Sequence, residues 1–270
     1  MTGVHCFICV TCGVQFAPTT APPEHCPICQ DERQYVGWSG QQWTTLDALR
    51  EEHRNEVRDD LGLVGMATKP SFAIGQRALL VRAPHGNVLW DCITLIDDAT
   101  VKEVRNLGGI RAIAISHPHY YSSVVEWSRA FDAPVLLHAA DRRWVMRSDP
   151  SIEFWSGATK ALWDGMTLIR AGGHFEGGIV MHWPGGADGR GALLTGDILQ
   201  VAQDRRWVSF MYSYPNYIPL PRAEIDRIAA AVEPFEFDRI YGAWWDRNVI
   251  SDAKNAVRQS AERYKRALGH

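Results

Sequence analysis

Four cysteines in two tight pairs constrain the first thirty residues more than anything else in the chain. Cys9-x2-Cys12 and Cys26-x2-Cys29 are separated by thirteen residues, which is the spacing of two turns that each offer two sulfurs to one tetrahedral ion. Gly13 follows the first pair, where the backbone must accept a positive φ, and Pro27 stiffens the second turn. Pro18, Pro22, Pro23 and Pro27 leave this segment loop-rich and without apolar periodicity, so it needs a staple to hold a shape. In a reducing compartment clustered thiols are metal ligands before they are disulfides. The expected ion is Zn²⁺ in a structural role, although the same four thiolates accept iron. Cys6 offers a competing Cys6-x2-Cys9 register that would orphan Cys12, so the 9/12 pairing is preferred.

The segment resembles zinc ribbons and rubredoxins, with Phe16 placed as an aromatic plug and Gln30 standing where many such knuckles have glycine. A module over residues 1–37 is expected. A linker with a helix follows over 38–70, the helix opening at Thr44-Thr45-Leu46-Asp47 and running to about Asp59. The main domain then occupies 71–270. In it short apolar strands alternate with amphipathic helices: strands at 72–82, 87–92, 110–116, 134–137, 166–170, 178–183, 191–195 and 239–241, and helices at 97–107, 122–131, 139–146, 222–233 and 251–267. That order implies an α+β fold of two mixed sheets with helices on their outer faces.

The 270 residues suffice for one large domain and a small appendage, and 46% apolar against 22% charged residues is globular composition. A net charge of −3 gives no electrostatic footprint for nucleic acid or an anionic membrane. No apolar run is long enough to span a bilayer, and MTGVHCFICVTC is too short in its apolar stretch for a secretory signal. The expected location is therefore cytoplasmic, with no membrane partner; oligomeric state is not legible.

Histidines and acids recur at successive strand ends. Ser116-His117-Pro118-His119 puts two imidazoles at i and i+2 just after a buried strand, GGHFEGG puts His174 in a glycine-rich loop, and LLTGD ends on Asp197. Bends at strand ends let such side chains converge on one ion. A lone histidine beside a strand is ordinarily a hydrogen-bonded structural residue, and His138 is read that way; His182 is expected on the outer face of its strand. Glu176 and Asp246 are as readily surface charges as proton carriers.

The order of these motifs over residues 70–250 resembles the metallo-β-lactamase superfamily, whose αββα sandwich is the fold implied. NVLWDC matches the strand whose Asp91 supports the ligands from behind, His117-Pro118-His119 matches the first half of the HxHxDH signature, His174 the third motif and Asp197 the fourth. Tyr121 and Ser122 replace the next acid and histidine, and Tyr241-Gly242-Ala243-Trp244-Trp245 stands where a Gly-His is usual. The resemblance thus implies one divalent ion, Zn²⁺ or another, on His117, His119 and His174. Asp197 is then a fourth ligand or the group that deprotonates water, and Tyr121 a donor to a developing oxyanion. Tyr212, Tyr214, Trp244 and Trp245 are candidates to line an aromatic pocket for a small-molecule substrate. The expected activity is a metallo-hydrolase acting on an ester, lactone, thioester or similar substrate. The competing readings are a degenerate, non-catalytic binding or scaffold protein and a nucleic-acid processing enzyme, the last opposed by the missing second metal and the absent basic stripe.

Overall fold

The computed structural model describes residues 3–269. They form a mixed α+β protein with two compact units, Met1–Leu137 with Arg142–Phe154, and His138–Asp141 with Trp155–His270. The cysteine-rich segment is part of the first unit.

That unit is built on a seven-stranded sheet whose strands follow chain order: Arg54–Asp60, Leu63–Lys69, Ala78–Val81, Val88–Trp90, Ala112–Ala114, Val135–His138 and Ile152–Trp155. The first four pair antiparallel, and Val88–Trp90, Ala112–Ala114 and Val135–His138 pair parallel. Every residue of those three parallel strands is buried, which is why they read as unbroken apolar runs with no alternation. The helices Asp98–Asn106 and Val124–Phe131 are the crossovers between them. Asp97 caps the first, its carboxylate accepting from the Thr100 amide at 2.7 Å.

The helix expected to run to Asp59 stops at Glu52. Thr45 caps it as the sequence implied, accepting from Ala48 N at 3.3 Å. Beyond His53 the chain becomes the edge strand Arg54–Asp60 and turns back through Leu61 and Gly62, both at positive φ, into Leu63–Lys69. A two-residue turn of that geometry closes a hairpin. Seven consecutive pairings from Arg54–Lys69 to Asp60–Leu63 then override the helical propensity of a charged segment. Residues 54–69 therefore belong to the sheet and are not a linker. Buried Arg77 pairs with Asp60 at the hairpin's end.

The second unit carries a six-stranded sheet in the order Thr159–Ala161, Thr167–Arg170, Ile179–Trp183, Ala192–Gly196, Arg239–Gly242 and Asn248–Val249. Only Ala192–Gly196 and Arg239–Gly242 pair parallel. The helices Arg222–Val232 and Ala253–Ala267 pack on it through Ile225, Ile228, Val257 and Ala261, which join Phe210 and Leu220 in one core. Four short strands between 200 and 219 form two hairpins that the sequence did not announce. Among the described residues no helix is long and apolar enough to cross a membrane. His182, expected on an outer face, is buried: its Nε2 bonds Glu236 O at 2.8 Å and its ring lies 5.1 Å from Phe235.

Two predictions follow from buried charge. Arg77→Met removes the buried guanidinium that pairs with Asp60, and a urea melt should register a loss of about 3–5 kcal/mol. Burial also lowers the His182 and His138 pKa values. The unfolded chain then binds protons that the folded one refuses, starting below about pH 6.5. Stability should fall as pH drops through that range, and His182→Asn should flatten the slope between pH 7 and 5.

Candidate metal centres

The cysteine pairs converge as their spacing implies. Gly13, at φ +78, turns its amide onto Cys9 O at 2.8 Å, and Cys9 N bonds Val14 O at 3.0 Å, which closes the first turn. Cys26 precedes the single helical turn Pro27–Gln30, and Gln30 N closes it on Cys26 O at 3.0 Å. The four sulfurs all lie within 4.8 Å of one another. Cys9 Sγ is 3.6 Å from Cys29 Sγ and Cys12 Sγ is 3.7 Å from Cys26 Sγ. A tetrahedral ion with bonds of about 2.3 Å to sulfur needs sulfur–sulfur edges of about 3.8 Å, so this donor set fits one such ion. All four side chains are buried. Burial drives the Cys12 thiol up, while hydrogen bonds from Cys12, Cys26 and Cys29 pull Cys9 down; four thiolates share so small a space only around a cation. Gln41 Nε2 donates to Cys9 Sγ at 3.2 Å, and Phe16 packs edge-on against Trp43 at 4.8 Å. Cys6 is half-buried and outside the cluster, so the 9/12 register is the one adopted.

The histidine motif begins where two parallel strands end side by side. Trp90 and Ala114 are in register, so Asp91 lies next to Ser116, and its Oδ1 accepts from the Ser116 amide at 2.7 Å. Asp91 turns at φ +60 to do so. Ser116 Oγ bonds His117 Nδ1 at 3.0 Å, which leaves Nε2 as the ring's coordinating atom. Pro118 opens a single 3₁₀ turn through Tyr120 that carries His119, with the rings of His117 and His119 5.1 Å apart at 75°. The bond seen for Asp91 thus orients the backbone ahead of His117, while the hydroxyl on the ring comes from Ser116, a residue the motif reading passed over.

In the second unit His174 Nδ1 bonds Tyr212 O at 2.7 Å. A carbonyl only accepts, so Nδ1 carries the proton and Nε2 the lone pair. The loop around it is tight: a Cβ on Gly173, at φ +77, would press into Ile228 and Leu220 of the neighbouring core. Asp141, also missed in sequence because it lies 36 residues before Gly177, accepts from Gly177 N at 2.9 Å and pins the loop's far side. Asp197 is buried just beyond the end of Ala192–Gly196, whose last residue, Gly196, pairs with Gly242 in the parallel pair. Its carbonyl accepts from the Tyr214 hydroxyl at 2.8 Å, and the Tyr214 ring is 5.7 Å from His174. Burial and the nearby Asp197 charge raise the Tyr214 phenol well above its ordinary range, so it stays a donor. Tyr214 and the Tyr212 carbonyl are thereby engaged in holding Asp197 and His174. Trp244 and Trp245 are half-buried in the turn after Arg239–Gly242.

Among the described residues the four cysteines form a group that could hold a metal ion, and buried imidazoles that could serve as ligands are offered by His117 and His119 in the first unit and by His174 in the second. Ser122, where the signature has a ligand, is committed to the fold: its hydroxyl donates to Cys92 O at 3.2 Å and accepts from Gln76 Nε2 at 3.1 Å. Tyr121 is buried against Val14, Val125 and Leu137 around a small cavity.

The chain is 51% identical over 265 residues to the uncharacterized protein YmaE of Bacillus subtilis (strain 168), covering 97% of this chain and 96% of the relative. The chain belongs to the YmaE family. No protein-family model matches it. The fold of this YmaE-family chain is that of the metallo-β-lactamases. The DIM-1 enzyme exposed to ceftazidime superposes with a TM-score of 0.59 at 12% identity over 79% of this chain and 98% of that one. TMB-1 gives 0.59 at 13% over 80% and 99%. SMB-1 with mercaptoacetic acid gives 0.52 at 17% over 76% and 91%.

Asp91→Ala should lower the affinity of the histidine group for a divalent ion by about 10–100-fold. Competition with a chromophoric chelator reads that loss, and the thiolate-bound ion should be retained.

Proposed function

We propose that this YmaE-family protein is a metal-dependent hydrolase with one divalent ion, Zn²⁺ or a close substitute, on His117, His119 and His174, and a structural zinc on the four cysteines. The observation that carries the reading is the set of three buried imidazoles, two of them with Nδ1 already engaged by Ser116 Oγ and Tyr212 O. Ligating histidines are ordinarily fixed in this way. A single ion is favoured because Ser122, which stands where the signature has a histidine, is tied to Gln76 and Cys92, and a tyrosine, Tyr121, stands where it has an acid.

When bound, such an ion supplies Lewis acidity toward a substrate carbonyl and toward water. The remaining work falls to the chain. Asp197, held through its carbonyl by Tyr214, accepts a proton from the attacking water and returns it to the leaving group. Tyr121 donates a hydrogen bond to the oxygen on which charge develops. Trp244 and Trp245, with Tyr212, contact the apolar part of an ester, lactone or thioester. A neutral acyl substrate matches a site with one ion, whereas phosphodiester cleavage at such folds calls for two.

The test is a panel of chromogenic esters, thioesters and lactones run with the metal-loaded protein and with three variants. Asp197→Ala should lower kcat by about 10²–10⁴ with little change in KM, Tyr121→Phe should lower kcat less, and His119→Ala should lose both turnover and one of two bound ions. Turnover of none of the three classes by protein holding two ions would leave a non-catalytic binding role as the better reading.

A further inference from the structure

The residues that leave the first cysteine turn are fastened to the chain just beyond the histidine pair. Gln15 N donates to Ser122 O at 3.0 Å. Gln15 Oε1 accepts from the Arg147 guanidinium, which also pairs with Glu126 in the helix Val124–Phe131. Thr94 links the same two segments from the other side: its hydroxyl donates to Gly13 O at 2.9 Å, and its carbonyl accepts from Ser123 Oγ at 2.6 Å. Gly13 directly follows the ligand Cys12, and Ser122 comes three residues after His119. A Cβ on Gly13 would collide with Thr94 Oγ1, so the approach of the two segments is close. Val14 is buried and shares a cavity wall with Tyr121 and Val125, and Ile8 joins Leu49 and Leu95 in one buried cluster.

We propose that the four-thiolate knuckle is a positioning element of the histidine site, an inference that rests on reading those histidines as a metal site. The knuckle ion fixes the turn Cys12–Gly13, Gly13 and Gln15 fix Ser122–Ser123, and that segment anchors the short turn presenting His117 and His119. Without its ion the knuckle holds four clustered thiols with no cation to share, and the turn that carries Gly13 loses its reason to stay closed. The two metal sites are therefore coupled, and coupling between binding sites is reciprocal.

Cobalt(II) titration followed by absorption separates the two sites, because thiolate-bound and imidazole-bound ions give distinct bands. Wild type should bind two ions. Thr94→Val, which removes one bond while keeping side-chain volume, should retain the thiolate-bound ion and weaken the histidine site by about tenfold. Cys29→Ser should abolish tight binding at the knuckle and weaken the histidine site at least as much. His117→Ala should weaken the knuckle's own affinity, as reciprocity demands. Two ions in wild type with an unchanged histidine-site Kd in Thr94→Val and Cys29→Ser would overturn the proposal while leaving the metal site intact. A Thr94→Val protein that lost its far-ultraviolet circular dichroism would overturn it too, since the bond would then serve the fold at large. If wild type binds only the thiolate-held ion, the histidine site and the coupling fall together.

Discussion

The buried carboxylate of Asp91 accepts from the amide of Ser116, and the histidine motif depends on that bond. It exists because Val88–Trp90 and Ala112–Ala114 run parallel in register, so that two chain segments leave the sheet side by side. Ligand sites in open sheets form where parallel strands end, because the backbone there is released from pairing and free to turn. The second unit repeats the device: Ala192–Gly196 and Arg239–Gly242 are its parallel pair, and Asp197 and the Trp244–Trp245 turn follow their ends. Both sets of candidate residues thus follow from one rule of strand direction.

Around that frame, backbone carbonyls and hydroxyls do much of the orienting. Tyr212 O sets the tautomer of His174, and Tyr214 grips the carbonyl of Asp197 instead of its carboxylate. Asp141 closes the His174 loop through the Gly177 amide. A site fixed this way is ordered before any ligand arrives, which reduces the conformational cost of binding one.

What the sequence disclosed is what local spacing encodes. The four cysteines were legible because two x2 pairs admit few geometries, and the strand ends at His117, His174 and Asp197 because apolar runs stopping at glycine or histidine mark them. Asp141 and Gln76 were not legible, since each acts through a contact between residues 36 and 46 apart in the chain, and Ser116 because a serine beside His117 carries no spacing signal of its own. The segment from 54 to about Asp59 read as helix because the cap and acidic first turn at Thr44–Asp47 announce one and nothing local marks its end. Its strand state is set by pairing with Leu63–Lys69, a tertiary fact that propensity does not carry. The short hairpins between 200 and 219 escaped for the same reason.

Tyr121 and Ser122 stand where the family resemblance leads one to expect an acid and a histidine, and the proposal of a single ion rests on that replacement. Gln76 and Cys92 hold Ser122 in the interior of the first unit, so that change is built into the packing. Metal-edge X-ray absorption on fully loaded protein tests the resulting claim most directly. The account calls for two separate environments, one of four sulfurs and one of imidazole nitrogens, with no metal–metal distance near about 3.5–4 Å. A metal–metal vector in that range, or sulfur ligation alone, would contradict it.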